Sequence, residues 1–271
     1  MTIRFRNRMT LTLFIIAISC LILGTFITLY QFLSGNMILP DVYTKYLSEN
    51  ILLKYNPVWT FAGIFIMLLY CCVTTIIIFH SFEKTQAPDI VFFLLFIVAC
   101  IADTSRLLVP VFRLSGTYSL FLLKLGNIHL FARLLAPLAL MGNTVMSTDD
   151  FRQSTDRNVI ILIIIALFFS EIIPLNTAVI LPNFCISYGY VKAIRAFCFI
   201  TCAFSTICLF RMNKKNEYKQ IMTLGFILLC IGYTLIFYCY NITAFITGTL
   251  LLGIGTYIYL NEVHKHYLWV D

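Results

Sequence analysis

Charge is what this sequence has least of. Only 11% of its 271 residues are Asp, Glu, Lys or Arg, against 61% hydrophobic, and the mean hydropathy is +0.92. A soluble domain carries about 25% charged and about 45–50% apolar residues. A water-soluble core cannot hide this much apolar surface, so lipid must be the solvent. Acidic residues are scarcer than basic ones, 12 against 19, for a formal net charge of +7. The basic residues sit at the ends of apolar runs, where orientation signals belong, so nucleic acid is excluded as a partner. No CxxC pair occurs among the ten cysteines, which removes thioredoxin-type and metal–thiolate chemistry. Most of them lie in apolar runs, where Cys behaves as a small hydrophobe; only Cys185 and Cys239 fall where an outer disulfide is an option. No GxSxG, HExxH, GxxxxGK[ST] or GxGxxG occurs, so the common hydrolase, metalloprotease and nucleotide motifs are missing. No cofactor and no metal is expected, and His80, His264 and His266 read as surface histidines.

What is present is a series of apolar runs, each near the roughly 20 residues that cross a bilayer. The expected fold is all-α: one polytopic integral-membrane helix bundle over 1–271, with no soluble domain. Eight transmembrane helices are placed at about 11–33, 58–79, 89–112, 118–141, 158–175, 191–210, 220–238 and 242–260, with seven as the alternative. The first run follows Arg4, Arg6 and Arg8 and is too long for a signal peptide. Residues 40–55 form either a weakly amphipathic interfacial helix or a loop. Pro137 and Gly142 are candidates to kink or end the fourth helix. Pro174 and Pro182 bracket an outer loop. The 41 residues from 220 to 260 carry no charge and are too long for one span; the only plausible turn is Tyr240-Asn241-Ile242-Thr243. Gly248, Gly253 and Gly255 suit the last helix to close contact, and Tyr267 and Trp269 are interfacial anchors. With both termini inside, eleven basic residues face in and five face out, and three lie within spans. This bias favours N-in and C-in in the plasma (inner) membrane.

The ionisable residues within apolar sequence are the candidate site. Counted at about 1.5 Å per residue, Asp103, Lys124 and Glu171 fall roughly 9–10 Å below the outer boundary and Arg106 roughly 5 Å. Arg195 enters from the same side. Ala99, Asp103, Arg106, Pro110 and Arg113 share one helix stripe. His129 and Arg133 share a face with Gly126 and Pro137, while Lys124 points roughly the other way. Intramembrane ionisable groups are functional candidates by default. Asp103, Arg106, Lys124, Glu171 and Arg195 are therefore expected to form one outer-side ligand-binding layer of net charge +1, with His129 and Arg133 secondary. The competing expectation is a set of static ion pairs, Asp103–Lys124 and Glu171–Arg195. The functional expectation is a sensor, receptor or accessory membrane subunit that binds an anionic small ligand. It would contact membrane lipids, and its basic inner loops would meet a cytoplasmic or membrane partner protein. A small secondary transporter of an anionic or carboxylate-bearing solute is the alternative; an intramembrane enzyme ranks third.

Overall fold

The structure, a computed structural model, describes residues 2–35, 54–83, 85, 87–112, 114, 120–145, 155–213 and 217–268. Most of the expected interfacial segment, Arg113 and the anchor Trp269 lie outside those residues. Among the described residues there are eight helices. They are α1 (Ile3–Leu33), α2 (Pro57–Phe82), α3 (Pro88–Val111), α4 (Leu120–Val145), α5 (Thr155–Ile172), α6 (Val191–Asn213), α7 (Glu217–Phe237) and α8 (Ile242–Leu268). All but α5 are long and apolar enough to cross a membrane. At 18 residues α5 carries Asp156, Arg157 and Glu171 near its ends, with an apolar run between them. Large apolar side chains point outward around the bundle, including Phe26 and Leu33 of α1, Ile164 and Phe168 of α5 and Phe199 and Ile200 of α6. That surface marks a membrane protein.

Local chemistry sets the helix ends. Asn56 caps α2 by accepting from the Val58 amide at 3.0 Å, and Pro57 and Pro88 occupy first-turn positions where no amide is needed. At the other end of α2, the buried Arg6 donates to the Phe82 and Thr85 carbonyls, placing a cation at a helix C-terminus, where the dipole favours it. Helices α3 and α4 form the centre. Phe92, Phe93, Leu94, Phe96 and Ile97 of α3 are all fully buried, and α4 runs unbroken through Pro137 to Val145, where an end or kink near 137–142 was expected. Gly142 stays small because a Cβ there would meet Phe92 of α3 and Leu162 of α5.

The chain departs from all-α between α5 and α6. Pro174 stops the helix, and Leu175–Ile180 (β1) pairs antiparallel with Ile186–Tyr188 (β2) as a hairpin. Leu175 aligns with Tyr188 and Ile180 with Ile186, with an irregularity between Asn176 and Ile180. The Gly189 amide closes the base on the Pro174 carbonyl at 2.7 Å. Phe184, at φ 64°, turns the tip inward; it is fully buried against Phe61, ring centroids 4.8 Å apart. Gly126 of α4 makes room, since a Cβ there would lie 2.7 Å from Leu175.

The α7–α8 turn falls where the sequence places it. Asn241 caps α8 by accepting from the Ala244 amide at 2.8 Å and the Thr243 hydroxyl at 3.0 Å. The two helices then touch backbone to backbone. A Cβ on Gly232 would lie 2.3 Å from the Leu252 nitrogen, and one on Gly255 2.4 Å from the Leu229 nitrogen. Gly248 belongs to this seam, but Gly253 does not: nothing lies within 4 Å of a Cβ there. Cys185 and Cys239 are both buried free thiols, so no disulfide joins them.

Gly232→Ala should therefore force the helices apart and lower stability by about 1–3 kcal/mol, despite the better helix propensity of Ala. Gly253→Ala should leave stability unchanged or raised. Titration of detergent-solubilised protein with SDS, followed by circular dichroism, checks both; equal effects would contradict the seam.

Candidate functional site

Three elements converge below the hairpin. The first is the break in α3. Its α-helical part ends at Asp103, residues Thr104–Leu107 form a 3-10 turn, and Leu108–Val111 resume the α form. Pro110 has no amide to bond the Arg106 carbonyl. Thr104 and Ser105 donate their hydroxyls back to the Ile101 and Ala102 carbonyls at 2.6 and 2.7 Å, a pattern that bends helices. The second element is the C-terminus of α7 at Phe237. The third is the hairpin tip.

Arg106 joins all three. Its guanidinium, 1% exposed, donates to the Phe237 carbonyl at 2.8 Å, reaches the Asn183 carbonyl at 3.5 Å, and pairs with Asp103 at 3.4 Å. Asn183 donates to the same Phe237 carbonyl at 3.2 Å. The last carbonyl of a helix carries the negative end of its dipole, so α7 supplies part of the counter-charge. Asp103 is fully buried, and neither of its oxygens accepts a hydrogen bond among the described residues.

From Arg106 a ladder of alternating cations and rings leads outward. The Arg106 guanidinium carbon lies 5.4 Å from the Phe237 ring centroid, and that of Arg133 lies 4.1 Å from the same ring. Arg133 also lies 5.0 Å from the Tyr238 ring and donates to its hydroxyl at 3.2 Å. Arg195, exposed on α6, lies 5.5 Å from the Tyr238 ring. Cation–π contacts of this kind strengthen when desolvated, as at Arg106 and Arg133. The Nε–H groups of Arg106 and Arg133 and both ring nitrogens of the buried His129 have no hydrogen-bond partner among the described residues. Burial pushes the neighbouring Cys185 thiol in the hairpin up to about 12, so it stays neutral and Asp103 is the one carboxylate against three guanidinium groups in this cluster.

The expected five-residue layer is thus divided. Asp103, Arg106 and Arg195 are connected through the ladder, with Arg133 as an integral rung and His129 buried beside Arg106. Lys124 and Glu171 stand apart: they pair with each other at 3.3 Å with side chains 65% and 55% exposed, and Asn127 donates to Glu171 at 2.8 Å. Neither expected ion pair forms. Equal depth does not bring Asp103 to Lys124, because Lys124 leaves α4 on the face opposite His129 and Arg133. Arg133 does not reach for the inner surface; the rings of Phe237 and Tyr238 hold it. Phe237, Tyr238 and Asn183 carry no charge, and the sequence reading missed them; the one available signal was aromatic density beside the 240–243 turn.

No protein-family model matches the chain, and no curated protein and no solved structure is significantly similar to it.

Removing either Asp103 or Arg106 strands a buried charge, which costs about 3–5 kcal/mol, while removing both is milder. A double-mutant cycle of Asp103→Asn and Arg106→Gln in the SDS titration should give a coupling above about 1 kcal/mol. The cycle of Asp103→Asn with Lys124→Met should give none, and Lys124→Met alone should cost under about 1 kcal/mol, as for exposed pairs. Coupling to Lys124 rather than to Arg106 would contradict this arrangement.

Proposed function

We propose that this chain is a plasma-membrane receptor or ligand-sensing accessory subunit that binds an anionic, carboxylate-bearing small molecule along the Arg195–Arg133–Arg106 ladder. In this reading the shorter α5, with its apolar run between Arg157 and Glu171, crosses the membrane together with the seven longer helices, and both termini are cytoplasmic. The observation that carries the proposal is the ladder itself: three guanidinium groups graded from exposed to fully buried, interleaved with two aromatic rings and opposed by one carboxylate. Guanidinium groups match carboxylates in planar, two-pronged fashion, and the Nε–H groups of Arg106 and Arg133 are donors without partners among the described residues. The 175–188 hairpin lies over the innermost rung. It is the element positioned to report occupancy, because it touches α2, α4 and α7 through Thr60, Gly126 and Phe237. The basic inner segments around 152–157 and 211–219 supply a surface for a cytoplasmic or membrane partner.

The second reading is a small transporter of the same class of anion. The break in α3 and the end of α7 inside the bundle favour it, since transporter sites are built from interrupted helices. The orientation rests on the eleven-to-five basic bias, and a reporter fused after residue 271 should read cytoplasmic.

Binding is tested on protein in nanodiscs with acetate, succinate, benzoate and inorganic phosphate, read as a shift in melting temperature. At least one carboxylate should raise it saturably. Arg195→Gln, at an exposed position, should leave the ligand-free melting temperature unchanged and weaken binding about tenfold, the loss of one charge-assisted hydrogen bond. No shift with any anion would overturn the proposal and leave the ladder as a static cluster. Uptake of the binding anion into proteoliposomes would select the transporter; binding without uptake would select the receptor.

A further inference from the structure

At the opposite end of the bundle from the hairpin, a cavity of about 180 Å³ runs between α2 and α8. We propose that it is a binding groove for one acyl chain of an anionic glycerophospholipid, in the leaflet at the His264 end. This inference does not depend on the anion-binding ladder.

The groove extends from Tyr70 to Ser81 on α2 and from Gly253 to His264 on α8. Each spans eleven residue steps, about 16 Å of helix rise, or half of a hydrocarbon layer about 30 Å thick. Its length is therefore that of one leaflet. Its chemistry changes along that length as a lipid does. The middle is apolar, with Ile77 exposed on one wall. The outer end carries Ser81 and His264. Nδ1 of His264 has no hydrogen-bond partner among the described residues, and no acidic residue lines the groove. The Lys265 ammonium, one residue further on α8, pairs with the Glu262 carboxylate at 2.6 Å. A phosphate at this end would meet the Ser81 hydroxyl and the His264 ring, with that nearby carboxylate already paired.

Gly253 makes the deep end. It is exposed, and a Cβ there would find open space, so the glycine seam of α7 and α8 does not account for it. Behind it the Tyr70 and Thr256 hydroxyls bond each other at 2.8 Å, which closes the floor between the two helices. A partner helix is too large an occupant. A helix about 10 Å across and 16 Å long fills on the order of 1,000 Å³, more than the about 610 Å³ of open space between these walls, whereas a single hydrocarbon chain is slender enough to lie in it.

The test uses the full chain in phosphatidylcholine nanodiscs containing a small fraction of phosphatidylglycerol with a diazirine on one acyl chain. After illumination, adducts are mapped by mass spectrometry. Adducts should concentrate at Ile77 and Gly253, and excess unlabelled phosphatidylglycerol should remove them at least fivefold. Adducts on the lipid-facing Ile164 and Phe168 of α5 should only dilute in proportion to the lipid added. A Cβ at Gly253 meets nothing within 4 Å, so Gly253→Trp should occupy the groove and abolish the saturable adducts at an unchanged melting temperature. Groove adducts that dilute like those on α5, or that persist in Gly253→Trp, would overturn the proposal, as would their absence. Should Gly253→Trp fail to fold, the competition on the native chain decides alone.

Discussion

A fully buried guanidinium sets the terms for the hairpin end of this protein. Arg106 lies within a membrane bundle, where a lone cation is costly, and it is tolerated because three separate elements supply counter-charge or carbonyl oxygens. Asp103 gives a carboxylate one turn earlier on α3, α7 gives its last carbonyl, and the hairpin tip gives the Asn183 carbonyl. Each of those elements is shaped accordingly. Helix α3 loosens into a 3-10 turn between the ion-paired residues, α7 ends at Phe237, and residues 175–188 fold down as a hairpin. The same carbonyl that accepts from Arg106 accepts from Asn183, so the end of α7 is the point at which the hairpin and the buried charge are fastened together.

The helical frame was largely legible in the sequence, because span length and the scarcity of charge are one-dimensional signals. Even the division of the uncharged 220–260 stretch was legible, since Asn241 and Thr243 are the residues that cap a helix start. The hairpin was not. Leu175 to Ile180 is a short apolar run, and such runs read equally as strand or helix; only the pairing with Ile186–Tyr188 decides the matter. The glycine seam was half legible: Gly248 and Gly255 lie in it, but Gly253, two residues from Gly255, faces away. Spacing names a face only when the partner helix is known.

The site was legible in its residues and not in its pairing. Counting residues along spans assigned Asp103, Arg106, Lys124, Glu171 and Arg195 to one expected layer, and expected depth alone groups all five. Azimuth separates them. Lys124 lies on the opposite side of α4 from His129 and Arg133, and that angular fact outweighs the match in depth, leaving Lys124 to the exposed Glu171. Arg133, ranked as secondary, became central because Phe237 and Tyr238 clasp it. Aromatic residues make up 15% of the chain, so no single ring announces itself as a partner for a cation.

Two chemically distinct regions result. The ladder of arginines and rings opens toward the hairpin end, and the slender groove between α2 and α8 opens toward the other. Helix α8 is joined along the glycine seam to α7, whose end carries Phe237 of the ladder, and it lines the groove with Gly253 and Thr256. The account stands on Arg106 holding the hairpin to the end of α7. Hydrogen exchange on the native chain and on Arg106→Gln in nanodiscs tests this most directly. The amides of Leu181, Phe184 and Gly189, which close the hairpin internally, should exchange at least tenfold faster in the variant, while those of the α3 centre stay protected. Unchanged protection of the hairpin in a folded Arg106→Gln protein would contradict the account.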